Sequence, residues 1–403
     1  MQQNTNPRAT CAAPLFELNR KPDHGLILPV ADATAVASCW QELEARCDSH
    51  FFHSWTWVGN WLELVLPHTT VYLYLHRRQG QVQACGLLTL CPARRGKGLI
   101  RTLQLQLNEY LPHQQQLDMV KGYGGLLMAE GDKSRCWSLF LETVRGFHKG
   151  WDEILLSCLP KTDYHVLMAQ SGGLTPVEKK AAATWVRELP APADSAEALE
   201  EALLEGFKKK SRKQLRQSLG AFARQGDIDL DRADSAETAL QFFDAMNAVH
   251  TARWLADGKQ GSFANPNWVA FHRGVIGSGF DKGQILMLRV RCGEMLLGYL
   301  YGHLYRNRVY MHQTGFALMD DNNLRPGYVS HFKAMALCAA DGRVSYDFLP
   351  DREGSYKKFF VEKGPCVSWL LLQRPRLIFR LEKVLRGFRG YGRFRQRHKG
   401  QEE

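Results

Sequence analysis

The stretch that decides the fold is residues 285–316, ILMLRVRCGEMLLGYLYGHLYRNRVYMHQTGF. Its three apolar runs alternate in side-chain character with a period of two, which is typical of half-buried strands. The two connections between the runs are short and contain the turn-forming residues Gly293 and Asn307. The sequence therefore predicts a three-stranded antiparallel meander.

The segments on either side of this meander have helical periodicity. Before it, residues 196–226, 235–258 and 265–280 each place apolar side chains on one helical face. After it, residues 328–342 predict another helix and residues 344–350 predict a further strand. Three helices, three antiparallel strands, a helix and a strand indicate a layered α/β domain rather than a bundle or a sandwich.

The first half of the chain has its own helices and strands. Residues 35–47 and 51–66 predict helices, and the aromatic residues of the second recur at a spacing typical of a core. Residues 70–93 predict a β-hairpin around the turn RQGQ, and a helix and a buried strand follow it. The composition then changes to the Pro/Ala-rich stretch LPAPADS at residues 189–195, which indicates a linker.

We therefore predict an α/β (α+β) protein of two domains, each with a mixed, largely antiparallel sheet flanked by helices. The chain length of 403 residues is sufficient for two buried cores. The predicted parts are an extended or disordered N-terminus (1–24), an N-terminal domain (25–190), a C-terminal domain (191–372) and a basic amphipathic tail (373–403).

Composition excludes several classes of protein. Apolar residues make up 45% and charged residues 23%, which is ordinary for a soluble globular protein. The sequence has no apolar run long enough to span a membrane, and its N-terminus lacks the apolar run of a secretory signal, so we expect a cytoplasmic protein. Ten cysteines form no C-x-x-C pair and have no activating histidine nearby, so neither a metal site nor a cysteine nucleophile is predicted.

The net charge of +11 is concentrated in the tail. From Arg374 to Lys399 there are ten Lys/Arg against one acid, Glu382, which gives +9. An apolar stripe runs through the same segment: Leu377, Leu381, Val384, Phe388 and Tyr391. Three roles fit a basic amphipathic helix: packing against the second domain, binding to an anionic membrane surface, and binding to nucleic acid phosphates with aromatic stacking.

Five segments of the second half occur in the order found in a known family: KKKSRKQLRQSL, VHTARWLADGKQGSF, LLGYLYGHLYRNRVYMHQTGF, RPGYVSHFKAMALCAADG, and YDFLP with SYKKFF. Together they resemble the BioF2-like acetyltransferase domain of CelD/BcsL-type proteins, a branch of the GNAT superfamily that is distantly Fem-like. The first half is also similar to this group. The resemblance implies a bacterial enzyme with two GNAT-like domains, an acyl-CoA co-substrate, no permanently bound cofactor, and a link to cellulose or exopolysaccharide synthesis.

The resemblance places the donor site at Leu324–Gly327. A GNAT fold holds the donor pyrophosphate at a helix N-terminus, where free N–H groups and the helix dipole favour anions. Pro326 suits the first helical turn, Gly327 allows a phosphate to approach the backbone, and Arg325 is able to pair with that phosphate. Tyr328 completes the predicted cofactor-binding set. The second glycine of the usual superfamily signature is missing here.

Acyl transfer also needs a base for the acceptor and an acid for the thiolate. Tyr301 and His303 share one face of the second meander strand with Tyr299 and Tyr305, and we take His303 as a candidate base and Tyr301 as a candidate phenol. On the next strand, Tyr310, His312 and Thr314 are predicted to share a face, and Tyr310 and His312 are candidate substrate ligands. The alternative is a half-buried sheet face without a chemical role.

Asp347, Tyr356 and Lys357 resemble the family's DF…YK element, with Pro350-Asp351 in place of a glycine. Three roles are open for this element. Asp347 and Lys357 form an ion pair that shapes the acceptor site; or Asp347 is the base while Lys357 holds the donor carbonyl or an acidic acceptor; or the pair is purely structural. Tyr356 is a candidate substrate ligand.

In VHTARW, helical spacing places His250 and Trp254 on one side of a helix, and the resemblance implies that these residues and Arg253 face the active cleft. The basic run KKKSRKQLR is ordinarily a solvated helix face, while the family context implies proximity to an anionic donor or acceptor.

Three functions therefore compete. The leading hypothesis is transfer of an acyl group from acyl-CoA to an amine or hydroxyl of a sugar, a sugar nucleotide or an envelope precursor. The second is a Fem-type transfer from aminoacyl-tRNA, and the third is a non-catalytic scaffold at the membrane surface. The expected partners are a saccharide or small-molecule acceptor, then the anionic inner membrane surface through the tail, then tRNA.

Overall fold

The structure is a computed structural model. It describes residues 23–91, 98–105, 122–147, 150–351 and 353–383. The strands are β1 Asp23–Pro29, β2 Val71–Arg78, β3 Gln81–Leu90, β4 Thr102–Leu105, β5 Leu127–Met128, β6 Glu153–Leu159, β7 Thr175–Ala183, β8 Val186–Glu188, β9 Ile228–Arg232, β10 Ile285–Cys292, β11 Met295–Tyr305, β12 Arg308–Phe316, β13 Ser345–Asp347 and β14 Cys366–Gln373. The helices are α1 Thr34–Ala45, α2 Trp55–Val65, α3 Lys133–Gly146, α4 Lys161–Ala169, α5 Ala196–Glu205, α6 Lys209–Ala223, α7 Ala236–Ala256, α8 Pro266–Gly279 and α9 Pro326–Ala340.

These strands form two sheets. The first has the order β1-β2-β3-β4-β6-β14-β7, with β5 paired to β3, and the second has the order β8-β13-β12-β11-β10-β9. Only β4–β6 and β12–β13 are parallel among the described strand pairs. The predicted fold class, with mixed, largely antiparallel sheets flanked by helices, is confirmed. The predicted hairpin and meander form as β2–β3 and β10–β11–β12.

The two sheets exchange strands across the predicted linker. β8 precedes the linker but pairs with β13 of the second sheet, whereas β14 follows the second sheet in sequence but inserts between β6 and β7 of the first. The division at residue 190 stays a prediction, but each half completes its sheet with a strand from the other side of that position. The N-terminal residues 1–22 lie outside the described residues.

The single helix predicted over residues 196–226 is wrong, because the chain breaks into α5 and α6 at Gly206–Lys208. The Arg187 guanidinium donates to the carbonyls of Leu203 and Gly206 at the end of α5, at 2.9 Å each. The Arg187 guanidinium occupies the space where a side chain on Gly206 would lie. This capping of α5 by Arg187 therefore requires glycine at position 206. The long-range cap therefore ends a helix that local periodicity would continue.

One of the hydrophobic clusters is built from both halves of the chain. The aromatic side chains of α2 and the preceding turn pack against α7, α8 and one face of the second sheet. Trp57 is fully buried and lies edge-on to Phe52 and Phe271, with ring centroids 4.9 and 4.7 Å apart. The predicted core role of this aromatic segment is confirmed, and the core it belongs to joins the two halves.

The described start of the basic tail contacts the first half rather than the second. Arg376 pairs with Asp152 at 2.8 Å, and the Arg374 guanidinium lies 3.8 Å from the Trp151 ring centroid. Residues 377–383 are helical, with Leu377 70% and Leu381 56% exposed, so the predicted packing on the second domain does not occur for these two leucines. The rest of the tail lies outside the described residues. In the part of the chain that is described, no helix is long and apolar enough to cross a membrane.

Candidate functional site

The candidate site is a cleft that opens where two parallel strands separate. β12 and β13 pair only over three positions and part after Tyr310 and Asp347. Beyond that point the strands diverge and leave a cavity of about 1140 Å³ between residues 311–319 on one side and residues 348–351 on the other. The N-terminus of α9 lies at this opening, because the chain leaves β12 through the loop that leads into α9.

The four predicted donor residues, Arg325, Pro326, Gly327 and Tyr328, all line this cleft. Arg325 is the N-cap of α9 and Pro326 occupies its first turn, as predicted. The Arg325 backbone N–H donates to Ser218 Oγ at 3.1 Å, which ties the start of α9 to α6. A Cβ on Gly327 would lie 3.0 Å from the Phe316 ring, a tight contact that would require this ring to shift. The arrangement places a half-buried helix N-terminus and a guanidinium at the cleft, which together suit a phosphate.

Of the roles open for Asp347 and Lys357, the structure shows no direct ion pair between them, because both side chains hold the backbone of Leu349. Leu349 adopts φ +63°, a left-handed conformation that is costly for a residue with a Cβ. Its N–H donates to Asp347 Oδ1 at 2.7 Å, and its carbonyl accepts from Lys357 Nζ at 3.0 Å. Lys357 forms its ion pair with Asp351 at 3.3 Å. The DF…YK element therefore fixes the turn that forms one wall of the cleft.

Asp347 itself is buried and does not line the cleft. Its other carboxylate oxygen accepts a 2.6 Å hydrogen bond from the Tyr123 hydroxyl of the first half. Burial raises the pKa of Asp347 to about 6, although the hydrogen bonds from Tyr123 and Leu349 oppose this shift. Tyr310, a predicted substrate ligand, is also buried away from the cleft. The predicted direct roles of Asp347 and Tyr310 at the substrate have no support from this geometry, and Asp347 has a positioning role.

Asp347→Asn is expected to alter the pH dependence of stability. The folded pKa lies above the unfolded value of about 3.9, so the folded protein binds more protons between about pH 4 and 6 and loses stability as pH rises through this window, by about 3 kcal/mol in total. Asparagine cannot ionise, so urea unfolding at pH 5 and pH 8 should show the variant gaining about 1 kcal/mol relative to wild type at the higher pH. An unchanged difference at the two pH values would contradict the raised pKa.

His303 and Tyr301 are placed in the core that joins the two halves rather than in the cleft. His303 is fully buried, with its ring stacked on Phe51 at 4.0 Å, and neither ring nitrogen has a hydrogen-bond partner among the described residues. Burial lowers the pKa of His303 to about 3. The Tyr301 hydroxyl lies 3.2 Å from His272 Nδ1. The predicted Tyr/His face exists, but α2 covers it, so the structural alternative holds for these two residues.

The remaining predicted substrate ligands do line the cleft. His250, Arg253 and Trp254 project from the last turns of α7, and Trp254 is 37% exposed. His312 and Tyr356 also line it. The expected alternation of β12 fails at His312, because the pairing with β11 shifts register there and leaves His312 as the extra residue of a β-bulge. The bulge allows successive residues 311–316 to border the cleft, which regular alternation would prevent.

Sequence reasoning missed the contribution of the first sheet. Lys179, Lys180 and Trp369, from the edge strand β7 and its neighbour β14, also line the cleft, as does Asp351. The lysines lie in TPVEKKAAA, which has no clear alternation, so a strand was not predicted there. Ala183 at the end of β7 exchanges two 2.9 Å backbone hydrogen bonds with Asp351, which joins this edge to the turn at Leu349.

A group of exposed cations lies close to the donor end. Lys209, Lys210 and Lys213 on α6 have no acidic partner among the described residues, and Arg212 lies beside them half-buried. Gln217, one turn after Lys213, donates to Asn323 Oδ1 at 2.8 Å in the loop before Arg325. This contact joins α6 to the donor loop, while the proximity of the basic run itself to the phosphate site stays a prediction.

In the described part of the chain, we find no site arranged for metal binding or for cysteine catalysis. No group of three or more His, Cys, Asp or Glu residues there is arranged to hold a metal ion. The nine described cysteines are free thiols and seven are buried. Burial raises the pKa of Cys47 to about 11 and that of Cys338 to about 12, which disfavours the reactive thiolate.

Residues 209–358 match the family model described as "Acetyltransferase (GNAT) domain". This segment runs from the start of α6 to just beyond Lys357, and it contains β12, β13, α9 and the opening between them. This part of the chain is therefore similar to GNAT acetyltransferase domains. The match does not distinguish the CelD/BcsL type from other members, so that assignment stays a prediction.

Among the solved structures with a similar fold, two match most of this chain. One is FemX, with a TM-score of 0.53 and 10% identity, covering 85% of this chain and 96% of that one. The other is a conserved protein of unknown function from Bacteroides thetaiotaomicron VPI-5482, with a TM-score of 0.50 and 10% identity, covering 83% and 96%. No curated protein matches the sequence. At this identity the likeness shows a shared fold across both halves.

Proposed function

We propose that the chain transfers an acetyl or longer acyl group from acyl-CoA to an amine or hydroxyl of a sugar, a sugar nucleotide or a related envelope or exopolysaccharide precursor. The observation that carries the proposal is the cleft between the diverging strands β12 and β13, which ends at the α9 N-terminus inside the matched acetyltransferase segment. Arg325 and the N-terminal turn of α9, which line the cleft, support binding of the donor pyrophosphate there.

The transfer requires a base at the acceptor and a proton for the departing thiolate. The acceptor nitrogen or oxygen attacks the thioester carbonyl carbon, the C–S bond breaks, and the proton lost by the acceptor is balanced by the proton taken up by the CoA thiolate. We assign the base to His312, which lines the cleft at the β-bulge and whose largely buried ring packs beside Trp57 and His272. Tyr328 and Tyr356 line the same cleft and are the candidate phenols for the thiolate.

We further propose that the reaction takes place in the cytoplasm with the tail at the inner membrane surface. The exposed Leu377 and Leu381, together with the tail's excess of arginine, support contact with anionic lipid.

Arg325→Ala is expected to weaken acetyl-CoA binding about tenfold or more, because a charge-assisted contact to phosphate is lost. Thermal unfolding of the wild type should move upward with acetyl-CoA, since a ligand at about a hundred times its dissociation constant adds roughly 2.7 kcal/mol of stability. The variant should lose most of this shift. Arg232→Ala is the matched control, because Arg232 pairs with Asp341 at the opposite end of α9.

Thermal unfolding with CoA species also distinguishes acyl-CoA transfer from the second candidate function. Fem-type transfer from aminoacyl-tRNA is favoured by the exposed cations of α6, which suit a polyanion. If no CoA species moves the unfolding transition of the wild type, the acyl-CoA proposal fails. Co-purified tRNA that supports aminoacyl transfer would then identify the Fem-type reaction.

A further inference from the structure

The charges of the cleft exceed what the donor site requires. Among the described residues that line it, five are cationic and two are acidic. Each acid lies against a base: Asp351 pairs with Lys357 at 3.3 Å, and Asp257 lies 3.8 Å from Arg253. The other cationic side chains that line the cleft are Arg325, at the proposed donor phosphates, and two lysines on the other sheet.

Those two lysines, Lys179 and Lys180, are presented by the edge of the first sheet. Trp369 of β14 pairs with Lys180, but the register then shifts so that Lys179 is the extra residue of a bulge. Consecutive lysines thereby border one cleft. The Lys180 ammonium lies 4.5 Å from the centroid of the Trp369 ring, so the indole restricts where this charge is placed.

The wall formed by α7 presents a second indole. Trp254 is 37% exposed at the cleft, and Lys259, which does not line the cleft, lies 5.9 Å from the centroid of its ring. Both walls thus offer a flat aromatic surface, and the wall with Lys179 and Lys180 adds positive charge. An indole packs well against the C–H face of a pyranose ring, while an ammonium group binds phosphate or carboxylate.

We infer that the acceptor is an anionic saccharide, a sugar that bears phosphate or carboxylate, and that Lys179 and Lys180 bind its anionic group while Trp369 or Trp254 packs against its ring. This inference rests on the proposed acyl transfer and adds the class of acceptor. Lysines on an edge strand also prevent sheets from pairing edge to edge, so the experiment must separate that role from binding.

The test measures thiol release from acetyl-CoA with matched pairs of acceptors: glucosamine against glucosamine 6-phosphate, and glucose against glucose 6-phosphate and glucuronate. An anionic sugar should be the better acceptor in at least one pair. The variant Lys179→Gln/Lys180→Gln should raise KM for that sugar about tenfold or more, because charge-assisted contacts are lost. It should leave the neutral sugar and the acetyl-CoA thermal shift unchanged.

The matched control is Arg77→Gln/Arg78→Gln, an adjacent cationic pair at the end of β2 that does not line the cleft. Equal use of neutral and anionic sugars, equal loss for both in the Lys179/Lys180 variant, or no release with any anionic sugar from a protein that binds acetyl-CoA would each overturn the inference. A weaker acetyl-CoA shift in that variant would assign the two lysines to the donor instead. Failure of the wild type to bind acetyl-CoA would overturn the proposed function itself.

Discussion

Replacing His312 by glutamine is expected to lower kcat for acyl transfer by about 10²- to 10⁴-fold, the usual contribution of a positioned general base. Glutamine keeps a polar side chain of similar length but cannot accept a proton at neutral pH. The acetyl-CoA thermal shift should stay, because the proposed donor contacts are made by α9. Single-turnover thiol release, measured with saturating acetyl-CoA, checks this expectation.

His303→Phe is the matched control, because His303 lies on the adjacent strand. The centroids of the His303 and His312 rings are 5.3 Å apart. His303 is buried and stacked on Phe51, so phenylalanine should fill the same space without an unpartnered polar atom. We expect unchanged kcat and equal or higher stability. If His303→Phe abolished transfer while His312→Gln did not, the base would be His303 after all. The pH profile of kcat should also lose its acidic limb only in His312→Gln.

Trp57→Ala is expected to lower the free energy of unfolding by about 3–5 kcal/mol, the range for deleting a large aromatic side chain from a core. Trp57 is fully buried and contacts α8 and the second sheet as well as its own half. Because the cavity would lie between the halves, both should be destabilised together. Urea unfolding followed by far-UV circular dichroism and by tryptophan fluorescence measures this effect.

Trp254→Ala is the corresponding control, because its indole is 37% exposed at the edge of the cleft. We expect its stability to change by less than about 1 kcal/mol, as for most substitutions away from the core. A small effect of Trp57→Ala, or loss of structure confined to the first half, would show that the halves do not share a core.

Much of the fold was predictable because its signals are local. The meander at residues 285–316 has period-two alternation and short turns, and α9 begins at a proline that is fixed in a helical φ. β7 and β8 were not predictable, because each is an edge strand without a regular alternation of apolar and polar residues. The break between α5 and α6 depends on Arg187, which is distant in sequence from the carbonyls it caps.

The site was predictable in part for a similar reason. Arg325 and Gly327 belong to a helix start whose chemistry is contained in four residues, and the structure places them in the cleft. His303 has a sequence context much like that of His312, and α2 packs against both rings, but only His312 also borders the cleft, at the β-bulge. Packing between distant segments determines which face of a sheet is covered. The periodicity of the sequence contains no information about that packing.

The exchange of β8 and β14 limits how this chain can be divided. A fragment ending at residue 190 would lack β14, so β6 and β7 would have no strand between them, and the apolar face around Leu370 and Leu372 would be missing. The complementary fragment would lack β8 and leave β13 as a three-residue edge. Neither half is thus a module that recombination or truncation can move intact, and a swap of catalytic domains between relatives would have to carry the strands on both sides of the linker together.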